Sequence, residues 1–174
     1  METSKDDILL SKIRIERFYN RLSDGAYSSP QERGRLFEKL IIDILKLEDL
    51  EPKASFRPTG EEVDGSFFWS GQTFLIEAKW VKKTLPASSI YAFKGKLDGK
   101  FHTTSGIFIS MNGYSPNAED ALRYGKEINI LLFDKNDMDA IILDEVPFLD
   151  VLKYKLRYAG DIGSVYANYP RKEV

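Results

Sequence analysis

Val63-Asp64-Gly65-Ser66-Phe67-Phe68-Trp69, then Ser70-Gly71-Gln72, then Thr73-Phe74-Leu75-Ile76-Glu77-Ala78-Lys79 is the stretch that decides the fold. Its β-branched and aromatic residues on either side of a glycine-containing turn predict two strands, Glu62 to Trp69 and Thr73 to Val81, joined as a hairpin. In a strand, residues two apart point to the same face. Glu77 and Lys79 are therefore expected to face one way, towards the place to which the first strand delivers Asp64. Two carboxylates and a lysine converging at a strand end can hold a hard divalent cation and act on a phosphate.

Upstream of the hairpin the period is helical. Residues 7 to 22 place Leu9, Leu10, Ile13, Phe18 and Leu22 among charges, and Ser23-Asp24-Gly25 ends that helix. Gln31 to about Leu47 is amphipathic through Leu36, Phe37, Leu40, Ile41, Ile44 and Leu45, with Ser28 or Ser29 as cap and Pro30 in the first turn. Pro52 to Arg57 reads as a strand before a turn at Pro58-Thr59-Gly60. Beyond the hairpin, Leu85 to Gly99 reads as a helix through Ile90, Phe93 and Leu97, and Gly106 to Met111 as a buried parallel strand. A helix is expected over Ser115 to Tyr124, a strand over Ile128 to Phe133, and a last helix over Pro147 to Tyr158, with Met138 to Leu143 leading towards it. Helices and strands alternating after a hairpin predict an α/β three-layer domain with a mixed central sheet. The expected division is a helical extension over 1–25, the main domain over 26–159 and a tail over 160–174, the last a peripheral arm or an ordered coil.

Composition limits the chemistry. The 174 residues suit one domain, and 43% hydrophobic with 30% charged residues is ordinary for a globular protein. With no cysteine and one histidine, His102, the chain can build neither disulfides nor a Cys- or His-based metal centre. No apolar run approaches the roughly 20 residues that span a bilayer, so no membrane contact is expected. Met1 to Asp7 lacks the pattern of a secretory signal, and a cytoplasmic protein is the expectation.

The net charge of −2 attracts nucleic acid only where positive charge is concentrated. It is concentrated between Lys79 and Lys100, where lysines 79, 82, 83, 94, 96 and 100 face a single acid, Asp98. Such a run is either a solvated face or a phosphate-binding one. Asp64 and Glu77, with the carbonyl of Ala78, are candidate ligands for Mg²⁺; the simpler alternatives are a turn shaped by Asp64-Gly65 and a structural Glu77–Lys79 ion pair. Lys79 would position the attacking water or stabilise charge on the phosphate. Glu38, at the edge of its helix's apolar stripe, either faces solvent or is drawn to positive charge.

Gly34-Arg35-Leu36-Phe37-Glu38, Val63-Asp64-Gly65 and Ile76-Glu77-Ala78-Lys79 resemble the three active-site motifs of the PD-(D/E)XK nuclease superfamily, closest to its Mrr-type restriction-endonuclease-like branch. Gly106-Ile107-Phe108-Ile109-Ser110 followed by Tyr114-Ser115-Pro116-Asn117-Ala118 resembles that branch's later strand and helix, so the likeness covers about residues 30 to 145. Each motif is weak alone; their order and hairpin context are fairly specific. The resemblance implies a restriction-endonuclease-like α/β/α core and an Mg²⁺-dependent endonuclease, with Mn²⁺ as substitute, that hydrolyses DNA in restriction or defence. It implies Asp64 and Glu77 as metal ligands, Lys79 as catalytic lysine and Glu38 as a carboxylate serving the metal–water network.

Under the same resemblance Lys82, Lys83, Lys94 and Lys96 become candidate phosphate contacts. Tyr91 becomes a base-stacking candidate, whereas Phe93, Trp69 and Trp80 read better as packing residues and His102 as a surface histidine. Ala78 departs mildly from the usual middle residue of the third motif. The helix before Ser23 is too short to be the separate DNA-recognition domain such enzymes usually carry. Target choice would then rest on this domain, a separate recognition or regulatory partner, or a region outside the chain, and double-strand cleavage would call for a homodimer. Two other readings stay open: a catalytically silent DNA-binding or assembly module, and a junction resolvase or RNase of the same superfamily.

Overall fold

A computed structural model describes residues 5–57, 62–118, 120 and 129–171. The strands are β1 (Lys53–Phe56), β2 (Val63–Trp69), β3 (Gln72–Lys79), β4 (Thr104–Ser110) and β5 (Ile130–Asp134), and they form one sheet in chain order. The first three are antiparallel, while β3, β4 and β5 run parallel. The described helices are α1 (Lys5–Ser23), α2 (Pro30–Leu47), α3 (Ala87–Asp98), α4 (Lys135–Ile142) and α5 (Phe148–Ile162).

The hairpin closes through two left-handed residues, Ser70 (φ 50°) and Gly71 (φ 81°), the twist that suits a two-residue connection. Side chains of β3 then alternate between two cores. Phe74, Ile76 and Ala78 join the core built with α1, α2, α4 and α5, whereas Leu75 joins the core under α3. The strands β4 and β5 contribute to both cores, Ile107, Ile109, Leu131 and Phe133 to the first and Phe108, Ile130 and Leu132 to the second. This double burial accounts for their almost unbroken apolar sequence. The result is the expected three-layer α/β/α arrangement around a mixed sheet. Among the described residues, no helix is long and apolar enough to cross a membrane.

Two glycines let helices approach the sheet closely. A Cβ on Gly106 would lie 2.6 Å from Phe93 Cε1 and 2.7 Å from Leu97 Cδ1, so α3 sits directly on β4. A Cβ on Gly65 would lie 3.0 Å from Ile42 Cδ1 and 3.3 Å from the Lys53 carbonyl, so α2 presses on β2 beside Asp64.

Several elements differ from the sequence expectation. Helix α3 begins at Ala87, because Leu85 is engaged in a parallel bridge with Tyr114. Strand β3 ends at Lys79, leaving Trp80 and Val81 outside it. Met138 to Leu143 does not lead into the last helix. It belongs mostly to a separate helix, α4, opened by an Asp134–Asp137 capping box. Helix α5 runs through Gly160 and stops at Gly163, whose φ of 79° terminates it.

After Gly163 the chain is an ordered coil tied to the sheet by a bond from Leu132 N to the Val165 carbonyl at 3.0 Å. Of the expected helix over Ser115 to Tyr124, Ser115 to Ala118 forms a turn, while 119 and 121–128 lie outside the described residues. Residues 58–61, with the expected turn at Pro58-Thr59-Gly60, lie outside them too.

Candidate active site

Three elements meet where β2 begins and β3 ends. Helix α2 is started by Ser29, whose hydroxyl accepts the N–H of Glu32 at 3.1 Å, with Pro30 in the first turn. Its buried stripe of Phe37, Leu40, Ile41, Ile44 and Leu45 leaves Glu38 half-buried at the margin. From there Glu38 shares an open groove with Ser55 and Asp64.

Asp64 is 9% exposed, and its Oδ2 accepts the main-chain N–H of Ala78 at 2.9 Å. The same oxygen faces Lys79 Nζ at 3.4 Å. Lys79 Nζ also lies 2.8 Å from Glu77 Oε1, as the two-residue strand spacing requires. The other oxygen of Glu77 is taken by α3: Lys96 Nζ donates to Glu77 Oε2 at 2.7 Å and to the Glu62 carbonyl at 2.8 Å.

The carboxylates are crowded. Burial, then the charge of Asp64, pushes the Glu38 carboxyl up to about 7, with Lys79 opposing. Burial and the charge of Glu77 raise Asp64, against the Ala78 N–H and Lys79. Burial alone would lower Lys79, but the charges of Asp64 and Glu77 outweigh it and hold the ammonium above its ordinary range.

This arrangement bears on a divalent cation. The Lys79 ammonium bridges one oxygen of each carboxylate, so Asp64 and Glu77 lie close enough to share one positive charge. Among the described residues no three acidic or histidine side chains converge on an ion. Two hard carboxylates without a full protein cage suit Mg²⁺, which usually keeps several waters and substrate oxygens in its shell. Of Ala78, the structure defines the N–H contact to Asp64.

The four candidate lysines behave differently. Lys82 and Lys83 are exposed just beyond β3. Lys94 pairs with Asp98 one helical turn on, at 2.6 Å. Lys96 turns inward to Glu77. Tyr91 is 46% exposed while Phe93 is buried, and His102 is an exposed residue beside Phe101. Trp80 packs against Tyr19 and Phe37, and Trp69 against Phe74.

Sequence reasoning missed two features. Arg33 is buried, stacks on Tyr27 and donates to the carbonyl of Trp80 at 2.8 Å, which fastens the chain just after Lys79 to α2. Arg35, Lys39 and Lys46 line the groove that holds Glu38 and Asp64. Their spacing on one face of the Glu38 helix was the signal available.

A search of curated proteins and of solved structures returns no match to this chain. A family model described as restriction endonuclease, the Mrr catalytic type, matches residues 31–142, which takes in α2, the whole sheet and α4. The chain belongs to this restriction endonuclease family.

Proposed function

We propose that this chain is an Mg²⁺-dependent endonuclease that hydrolyses DNA phosphodiester bonds, acting in the cytoplasm in restriction or defence, with Glu38, Asp64, Glu77 and Lys79 as its working residues. The observation that carries the reading is the Lys79 ammonium lying between the Asp64 and Glu77 carboxylates. Asp64, Glu77 and the Ala78 carbonyl would hold the ion. Bound there, Mg²⁺, or Mn²⁺ in its place, supplies Lewis acidity to the phosphate and makes a water more nucleophilic.

The chain's own residues do the rest. Lys79, with its side chain 37% exposed, can face a phosphate that approaches the strand end. Its ammonium orients the attacking water and offsets the charge that builds on the phosphate oxygens. Glu38, with its carboxyl at about 7, can exchange a proton with that water near neutral pH. The water oxygen bonds to phosphorus, one phosphorus–oxygen ester bond breaks, and the departing alkoxide takes up a proton.

Phosphate contacts along the backbone fall to Lys82, Lys83 and Lys94, joined by Arg35 and Lys39 from the groove wall. Cutting both strands requires two such sites, so the reading includes a homodimer. A plasmid cleavage assay with Mg²⁺, Mn²⁺ or EDTA tests it. Wild type should nick or linearise the plasmid only with metal, and Lys79→Ala should leave it intact. Undiminished cleavage in EDTA, or by Lys79→Ala, would overturn the reading.

A further inference from the structure

Lys96 is set apart from the other lysines of its run by where its helix puts it. The α3 residues Ile90, Phe93 and Leu97 are buried, and Gly106 lets that face lie directly on β4. The helix is therefore fixed, and Lys96 reaches back from it with its side chain only 20% exposed. Its ammonium is anchored twice, on the Glu62 carbonyl at the entry to β2 and on Glu77 Oε2. With Lys79 on Oε1, both oxygens of Glu77 are neutralised by ammonium groups. A divalent cation on this carboxylate would have to share it with both ammonium groups or displace one of them.

Two effects of Lys96 on a metal ion compete. It orients the Glu77 carboxylate, which favours the ion by freezing a side-chain torsion, an effect of a few-fold at most. It also keeps a positive charge 2.7 Å from an oxygen of the carboxylate that would hold the ion, and repulsion of a divalent cation over about 5 Å would weaken binding by roughly tenfold even at the dielectric constant of water. Repulsion wins. A released ammonium at the same place would face incoming phosphate, the ligand best able to replace Glu77.

We propose that Lys96 is a positioning residue that holds Glu77 in the metal-free protein, yields it when a divalent cation binds, and then turns its ammonium to a DNA phosphate. Metal and DNA are thereby made to bind cooperatively, each strengthening the other by the same factor. This inference rests on the reading of Glu77 and Asp64 as metal ligands.

The test is calorimetric titration of the full chain with Mn²⁺, together with duplex DNA affinity in EDTA and in Ca²⁺. Wild type, Lys96→Met, Lys96→Arg and Asp64→Asn are compared. Lys96→Met should bind Mn²⁺ about tenfold more tightly than wild type and lose most of the Ca²⁺-dependent gain in DNA affinity. Lys96→Arg keeps the charge and should stay close to wild type, which separates a charge effect from a folding defect.

Equal or weaker Mn²⁺ binding by Lys96→Met, with Asp64→Asn binding none, overturns the role of Lys96 while the metal site stands. Tighter Mn²⁺ binding with an unchanged gain in DNA affinity overturns the coupling. Mn²⁺ binding that Asp64→Asn does not affect overturns the metal site itself, and the inference with it.

Discussion

Asp64 Oδ2 accepts the main-chain N–H of Ala78 at 2.9 Å, so one candidate metal ligand also holds the strand that carries the other two active groups. The two duties are separable by substitution. Asp64→Asn keeps an acceptor for the Ala78 N–H, whereas Asp64→Ala leaves that buried donor without one, at a cost of about 1–3 kcal/mol. Denaturant titration should therefore find Asp64→Ala destabilised by that amount and Asp64→Asn close to wild type. Neither should cleave DNA. Full activity in Asp64→Asn would remove this aspartate from the mechanism.

Glu38 makes stability depend on pH. Its carboxyl stands at about 7 in the fold against 4.5 for a free glutamate, so the folded chain holds the proton more tightly. Its contribution is fully present below pH 4.5 and is lost as pH rises through 7. Glu38→Gln removes the slope. Melts in EDTA should show the variant gaining on wild type by about 1 kcal/mol between acid and pH 8, a figure reduced because the side chain is only half-buried. A constant difference across that range would contradict the burial of Glu38 and its crowding against Asp64.

Just beyond β5, at the same end of the sheet as Lys79, the fold depends on a sealed ion pair. Lys155 Nζ lies 2.7 Å from Asp137 Oδ2, with side chains 1% and 0% exposed. The same ammonium donates to the carbonyls of Leu132 and Ala167, and Asp137 accepts the Tyr169 N–H. Lys155→Met strands a buried carboxylate and should cost roughly 3–5 kcal/mol. Adding Asp137→Asn should recover part of that loss in urea unfolding. Strict additivity of the two changes would show that they do not act as a pair.

Gly106→Ala tests the seat of α3. A Cβ there meets Phe93 and Leu97 well inside contact distance, and overpacking of this kind costs about 1–3 kcal/mol. If α3 gives way by lifting off β4, Lys96 moves away from Glu77, and Mn²⁺ affinity should shift in the direction expected for Lys96→Met. A variant as stable as wild type would mean that the helix does not sit so close.

What could be read in advance was local. The cap and stripe of α2, the turn at Gly71 and the two-residue spacing of Glu77 and Lys79 each follow from local sequence, and they bring Glu38, Asp64, Glu77 and Lys79 near one another. The rest depends on tertiary placement. Six lysines between 79 and 100 look alike in sequence, and only the docking of α3 on Gly106 distinguishes Lys96 from Lys94. Arg33 reads as one more surface charge on a helix until Tyr27 and Trp80 enclose it. The chain after Gly163 has no period because it is held partly through its main chain, on Lys155 and Asp137, and partly by scattered side chains such as Tyr166 on Asp134 and Arg171 on Asp144.

In the proposed mechanism Lys79 is needed for cleavage and not for DNA affinity. The most direct measurement takes wild type and Lys79→Met on the same linear duplex, with binding measured in EDTA and cleavage in Mg²⁺. Binding should be comparable and cleavage at least about a hundredfold slower in the variant, the scale expected when a charge-stabilising group is lost. Cleavage by Lys79→Met at the wild-type rate would contradict that mechanism.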